Sequence, residues 1–351
     1  MKLCVHFGSC GGCVSQDMDA SAYAEAKRQK ILDALAQAGV RGDVQATISV
    51  APGTRRRAVL KAHKHDGHVD LGFHAARSHS IIDMQECLLV TPKLAAVVAP
   101  LRELLDKIFD NGHQADLHIT DTETGLDISV KTNAKISPAI TAELARNASR
   151  LNVARIIWKG EIALEVATPT IRFDGIAVKI PPEAFLQASH EGEALLQTHV
   201  AKFLKGAKHI ADLFAGCGTF ALPLAKGARV HAVELEAAPL AALAGAARGA
   251  SGLKPVTTEK RDLFKLPLTP AELKPCDAVL LDPPRAGTAA QVSELAQSKI
   301  RRIAYVSCNA ESFARDAAML IKAGYDMGSI TPIDQFLWSS HIELVAGFER
   351  A

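Results

Sequence analysis

Cys308 ends an apolar run, Ile303-Ala304-Tyr305-Val306-Ser307, and a helical pattern starts just beyond Asn309. This puts a thiol at the carboxyl end of a strand, where open α/β sheets collect their chemistry. A helix N-terminus there is expected to lower the thiol's pKa and favour the nucleophilic thiolate. Taken alone, Cys308 reads equally well as a buried sheet cysteine. A second group of thiols opens the chain. Cys4, Cys10 and Cys13 follow a C-x5-C-G-G-C pattern, in which Gly11 and Gly12 let the backbone fold tightly around a bound centre. Three thiolates so close call for a fourth ligand, and Cys87 is the other cysteine before residue 217. Four cysteines suit zinc or an iron–sulfur cluster, and spacing does not choose between them. His6 reads as a solvated loop residue.

A third site follows residue 208. His209–Leu213 is an apolar strand that runs into Phe214-Ala215-Gly216-Cys217-Gly218-Thr219-Phe220 and then a helix. Gly216 and Gly218 let a ligand approach the backbone. The next strand ends at Glu234, where an acid can hold ribose hydroxyls, and Asp262 after a third strand suits an adenine-edge contact. A dinucleotide site shares that acid but asks for a third glycine, and position 221 is Ala. With Asp212 and Phe214, the D-x-F-x-G-x-G form instead resembles a class I S-adenosylmethionine methyltransferase. Asp282, followed by Pro283 and Pro284, is held at the end of a fourth strand beside that site. It reads as a contact to a nucleobase edge or as the cap of a rigid turn. Cys217 reads as a small residue facing inward.

The elements that must position these groups fall into two styles. From about 44 to 174 short strands dominate: Val44–Val50, Arg57–His63, His68–His74, Ser80–Met84, Asp116–Thr120, Leu126–Thr132, Ala154–Lys159, Ile162–Val166 and Thr170–Phe173. His65-Asp66-Gly67-His68 is a hairpin signal. Helices are expected over 19–38, 92–110 and 137–148. A long helix over 191–204 leads into strands and helices that alternate, the mark of a doubly wound parallel sheet. The expected division is a cysteine loop over 1–20, a central α+β domain over 21–174 and a Rossmann-like methyltransferase domain over 175–351. A chain of 351 residues with a formal charge of +2 does not announce a nucleic-acid binder. Arg55, Arg56 and Arg57 do form a local basic run that could meet phosphates. No apolar run reaches the length of a membrane span, and no signal peptide precedes Cys4, so a cytoplasmic monomer is expected.

In order along the chain, these motifs resemble the RNA uracil-5 methyltransferase family, in particular its bacterial 23S ribosomal RNA members. The resemblance runs nearly end to end. It takes in the cysteine loop with Cys87, Phe185 and Gln187 after Pro182, the 212–220 loop, and Asp282-Pro283-Pro284-Arg285. It continues through Ser307-Cys308-Asn309, Asp334-Gln335-Phe336 and His341-Ile342-Glu343. It implies S-adenosylmethionine as methyl donor and a [4Fe–4S] cluster on Cys4, Cys10, Cys13 and Cys87. It also implies Cys308 as the nucleophile toward uracil C6, Glu343 as the base that removes the C5 proton, and Gln187 and Asp282 as contacts to the uracil or to the bound cofactor. The cluster leans the reading toward ribosomal rather than transfer RNA. Arg285 follows Pro284, where the cytosine-5 RNA enzymes carry a cysteine. Relatives often begin with an RNA-binding TRAM barrel, and this chain begins at the cysteine loop. Leu337-Trp338 and Ser189 also depart from the usual pattern. The competing class is a non-catalytic RNA-binding factor that keeps the cofactor domain.

Overall fold

The structure is a computed structural model, which describes residues 3–350. The first two residues of the expected cysteine loop, and Ala351, lie outside the described residues. The N-terminal part runs α1 (Ala20–Gln37), β1 (Ile48–Ser49), β2 (Arg57–His65), β3 (His68–His74), β4 (Ile81–Asp83), α2 (Pro92–Ile108), β5 (Gln114–Thr122) and β6 (Gly125–Thr132). It continues with α3 (Pro138–Asn147), β7 (Val153–Trp158), β8 (Glu161–Glu165), β9 (Thr170–Phe173) and β10 (Ile176–Lys179). The C-terminal part runs α4 (His190–Phe203), β11 (His209–Leu213), α5 (Ala221–Leu224), β12 (Arg229–Glu234), α6 (Ala237–Gly249), β13 (Val256–Lys260), α7 (Pro270–Leu273) and β14 (Ala278–Leu281). It ends with α8 (Ala289–Gln297), β15 (Arg302–Ser307), α9 (Ala310–Lys322), β16 (Asp326–Met327), β17 (Thr331–Asp334) and β18 (Glu343–Glu349).

The first sheet has the order β4-β3-β2-β5-β6-β7-β8 and is antiparallel except for β6 beside β7. Its hairpin is the expected one. Asp66 and Gly67 both take positive φ, +48° and +82°, which matches the twist of the flanking strands. Alternate residues of β2, among them Ala58, Leu60 and Ala62, turn inward under α2, whose Leu94, Val97, Leu101 and Leu105 complete the core.

The second sheet places the site. Its path is β1-β17-β18-β15-β14-β11-β12-β13, parallel from β15 to β13, with β18 inserted antiparallel against β15. The strand order reverses at β11, flanked by β12 on one side and β14 on the other. The crevice outside the carboxyl ends of such strands is where open α/β sheets bind ligands. The neighbouring β14 is apolar throughout, as a strand covered on both faces is, and its Val279, Leu280 and Leu281 are fully buried.

The cores do not divide where composition suggested. Of the expected strand at 44–50, Ile48–Ser49 forms β1, and it pairs parallel with β17 in the C-terminal sheet. Ile31, Ala34, Leu35, Val40 and Val44 join the core of that same sheet. The physical reason is the apolar stripe of α1, which packs on α9 rather than on the first sheet. A buried polar contact fixes the join. Lys27 Nζ donates to Asp334 Oδ1 at 2.9 Å, Tyr23 Oη donates to Asp334 Oδ2 at 2.5 Å, and Asp334 is fully buried. Lys27 also donates to the carbonyls of Phe336 and His341, so α1 holds the turn that follows β17. Lys27→Met leaves Asp334 without its counter-charge. It is expected to destabilise the protein by roughly 3–5 kcal/mol, as breaking a buried ion pair does, measured as a lower midpoint in urea unfolding. An unchanged midpoint contradicts the role given to the pair.

Candidate active site

Cys308 and Glu343 meet because β15 and β18 are antiparallel neighbours. Ser307 pairs with Leu344, so the residue leaving β15 lies beside the residue opening β18. Asn309 caps α9 by accepting from the Glu311 amide at 3.0 Å, and its Nδ2 donates to the Arg285 carbonyl at 3.1 Å. Ser312 Oγ donates to the same carbonyl at 3.1 Å. These bonds bind the Asp282–Gly287 turn to the cysteine turn. Gly287, at φ +74°, is needed there, because a Cβ would come within 2.8 Å of the Asp316 carboxylate.

Two side chains, Gln187 and Gln335, link the carboxyls of Asp282 and Glu343. Gln187 Nε2 donates to Asp282 Oδ2 at 3.3 Å, while Gln335 Nε2 donates to Gln187 Oε1 at 2.6 Å and to Glu343 Oε2 at 3.1 Å. Gln335, in the Asp334-Gln335-Phe336 motif, lies at the centre of the row.

Electrostatics work against ionisation here. Burial, then the charge of Asp282, push Glu343 up to about 8, with the Gln335 hydrogen bond opposing. Burial also pushes Asp282 up to about 7 against the Gln187 hydrogen bond. Cys308 is pushed up to about 11 by burial and by Glu343 and Asp282, with its own backbone amide and Arg285 opposing. The expectation that the helix N-terminus would lower this thiol is therefore corrected. The favourable dipole is present but is outweighed by desolvation and two acids.

The residues expected around the methyl donor come together at the switch point. Phe214 takes φ +67° and Gly216 and Gly218 take +53° and +95°, and the Phe214 and Ala215 amides donate to the Val233 carbonyl. Positive φ is strained for Phe214 and cheap for the glycines. A Cβ on Gly216 would meet nothing within 4 Å, so the loop faces open space. Glu234 accepts the Gly216 amide at 2.9 Å and the Glu236 amide at 2.9 Å. Asp212 is fully buried and neither carboxylate oxygen has a hydrogen-bond partner of normal geometry. Burial, then Asp282, hold it well above the usual carboxylate range. Asp262 accepts from the Phe264 amide at 3.1 Å, and the half-exposed Phe264 ring tilts against Phe214 at 5.5 Å. Cys217 is buried, as its small size suggested.

The cysteine loop docks on the edge of β3. Cys10 bridges Ala75, Gly11 N donates to the His74 carbonyl, and Val14 N donates to the Trp338 carbonyl. Cys4, Cys10, Cys13 and Cys87 are free thiols and line one cavity of about 550 Å³, together with Arg55, Arg285, Cys308, Phe336 and His341. Burial is the main force that pushes Cys13 up to about 11, and the charges of Cys87, Cys10 and Cys4 add to it against a Gln16 hydrogen bond. A smaller cavity of about 270 Å³ is lined by Arg57, Phe185 and Gln187 and shares Arg55 and Phe336 with the first. Arg55 lies 5.7 Å from the Phe336 ring and Arg57 4.9 Å from the Phe185 ring. Two of the three arginines of the basic run therefore face the cleft, and Arg56 is buried against Glu193.

Residues 171–350 match the family model described as tRNA (Uracil-5-)-methyltransferase. A Rhizobium meliloti protein named as an uncharacterized RNA methyltransferase is 41% identical over 99% of this chain and 85% of its own length. The chain belongs to the uracil-5 RNA methyltransferase family. A 23S rRNA (uracil(1939)-C(5))-methyltransferase from a Shewanella strain is 30% identical over 99% of the chain and 81% of its length. Among solved structures, the Pyrococcus abyssi tRNA (uracil-54, C5)-methyltransferase in complex with S-adenosyl-L-homocysteine covers 96% of the chain and 85% of its own, at 23% identity and a TM-score of 0.76. That likeness shows the fold, a class I methyltransferase domain. Among the described residues, no helix is long and apolar enough to cross a membrane.

The acids predict a stability profile. Glu343 has a folded pKa of about 8 against an ordinary value of 4.5, so its protonated form is the one the fold favours. That stability is fully present below about 4.5 and is lost as pH rises through about 8. Glu343→Gln is expected to match wild type near pH 5 and to exceed it by roughly 1–3 kcal/mol near pH 9, read from melting temperatures across that range. A variant less stable than wild type at high pH contradicts the assigned electrostatics.

Proposed function

We propose that this RNA methyltransferase places a methyl group on C5 of a uridine in 23S ribosomal RNA, through a covalent bond from Cys308 to C6. The observation that carries this reading is one desolvated corner holding a thiol, two raised carboxyls and an amide-bearing glutamine. Uracil C5 is a weak nucleophile. Addition of the Cys308 thiolate at C6, after its proton has passed to water in the cavity, turns the ring into an enolate with C5 nucleophilic. Asp282, near 7, can hydrogen-bond the O4 on which that charge develops. S-adenosylmethionine, when bound, supplies the electrophilic methyl group. Glu343, in its ionised form, then takes the C5 proton, the C5–C6 double bond re-forms and the Cys308–C6 bond breaks to return the thiolate. The proton held by Glu343 finally goes to water.

The donor would be held by the Asp212–Phe220 loop, with Glu234 at its ribose and Asp262 at the adenine edge beside Phe264. The unpartnered Asp212 and the open face of Gly216 support the fit. A base drawn out of its stack can lie against Phe185 or Phe336, backed by Arg57 and Arg55. The relative named for 23S rRNA favours ribosomal over transfer RNA.

Cys4, Cys10, Cys13 and Cys87 would hold a [4Fe–4S] cluster, and the donor set supports it. Burial and the neighbouring thiols push Cys13 and Cys87 up, and a cationic centre held among the four would favour their thiolates instead. Among the described residues, the group of three donors within 4.8 Å of one another is His65, His68 and Asp70 on the β2–β3 hairpin, not the thiols. Zinc at a Zn–S distance of about 2.3 Å would draw four sulfurs to within about 4 Å of one another. The resemblance of the cysteine loop to the ribosomal RNA branch favours a cluster of several irons over a single zinc.

Cys308→Ala is expected to lose methyl transfer by at least ~10³-fold, since the addition step has no substitute. Glu343→Gln should instead accumulate an RNA adduct that survives denaturing gels. Methylation by Cys308→Ala at the wild-type rate contradicts the mechanism. Mapping 5-methyluridine in ribosomal and transfer RNA treated with wild type decides the substrate. Anaerobically purified protein should be brown with absorbance near ~400 nm, and Cys87→Ser should lose that band. Colourless protein with stoichiometric zinc contradicts the cluster.

A further inference from the structure

Gln335 is oriented by groups whose polarity the backbone fixes. Its Oε1 accepts from the Ala188 amide at 3.0 Å and the Ser189 amide at 3.4 Å. A backbone N–H can only donate, so the carbonyl end of Gln335 must face these two amides. The Nε2 end is thereby committed to the other side, toward Gln187 Oε1 and Glu343 Oε2. This in turn fixes Gln187. Its oxygen is occupied by Gln335, and its amide nitrogen turns to Asp282 and the cavity that Gln187 lines with Phe185 and Phe336. A flipped Gln187 would set two N–H donors against each other and a carbonyl against a carboxyl.

The surroundings hold this arrangement. Arg56 N donates to the Ala188 carbonyl at 2.9 Å and Arg56 Nε to the Gln187 carbonyl at 3.0 Å, while its guanidinium pairs with the buried Glu193. On the other side Gly192 leaves room, because a Cβ there would sit 2.9 Å from the Gln335 Cβ. Residues 187–189 are thus held while Gln335 is seated against them.

We infer that Gln335 determines base specificity by positioning: it locks the Gln187 amide so that the pocket presents N–H and not C=O to the pyrimidine. Uracil carries an acceptor, O4, where cytosine carries an amino donor. A locked donor accepts the first and repels the second, whereas a freely flipping amide serves both. The inference rests on the uridine reading above and deepens it.

The test uses the full-length, cluster-containing protein, an unmodified 23S ribosomal RNA transcript, and a copy whose methylated uridine, mapped with wild type, is replaced by cytidine. The quantity read is the inhibition constant of the cytidine transcript relative to KM for the uridine transcript. Gln335→Met removes both polar ends at similar volume, and is expected to reduce that preference at least tenfold with the ~400 nm band retained. Should Gln335→Met fail to fold, Gln335→Glu decides on the same ratio, since it keeps the acceptor for Ala188 and Ser189 but not the donor for Gln187. Wild type that methylates uridine, with a variant that keeps its full preference whatever its rate, overturns this inference alone. Wild type that leaves the uridine transcript unmethylated overturns the uridine reading and this inference with it.

Discussion

The antiparallel pairing of β15 with β18 is the constraint on which the site depends. It sets Ser307 against Leu344 and so brings Cys308 and Glu343 to one sheet end, although 34 residues of chain lie between them. In a parallel sheet the residues leaving neighbouring strands emerge at the same end. Here one strand must arrive as the other departs, and β18 does so because β17 and the turn after it send the chain back. That turn carries Gln335 and Phe336 and is tied down by Lys27 and Tyr23 of α1 through Asp334. The first helix of the chain is thus a brace for the turn that follows β17.

Once gathered, the groups repel one another, and the repulsion has a chemical use. Two acids and a thiol in a desolvated corner all shift toward their neutral forms. A carboxyl near 8 is a stronger proton acceptor than a solvated one, as removal of a carbon-bound proton demands. The cost falls on the thiol, whose ionisation the same acids oppose. The stability lost at high pH and the basicity of Glu343 are two readings of one desolvation.

Much of this was legible along the chain. Short-range signals carried the hairpin at Asp66-Gly67, the glycine loop at 216–218, the double proline at 283–284 and the strand end at Ser307, because each is set by local backbone geometry. Long-range facts were not legible. Nothing in Ile48–Ser49 says that it joins a sheet formed almost 300 residues later, since a two-residue strand has no periodicity to read. The net pKa of Cys308 depends on two acids brought in by folding, so the helix rule gave its direction wrongly. Gln335 was visible as a residue but not as a link, because its partners come from two segments far apart in the chain, 187–189 and Glu343.

The central claim is a bond from Cys308 to uracil C6 that must outlast methyl transfer until the C5 hydrogen is removed. The most direct measurement replaces that hydrogen. An RNA transcript carrying 5-fluorouridine cannot yield a C5 proton to Glu343, so the reaction should halt after methylation. Mass spectrometry of the digested complex is then predicted to find the methylated fluorouridine fragment on the peptide that contains Cys308, and on no other cysteine peptide. Recovery of free protein with untouched RNA, or of a fragment on a different cysteine, would contradict the account.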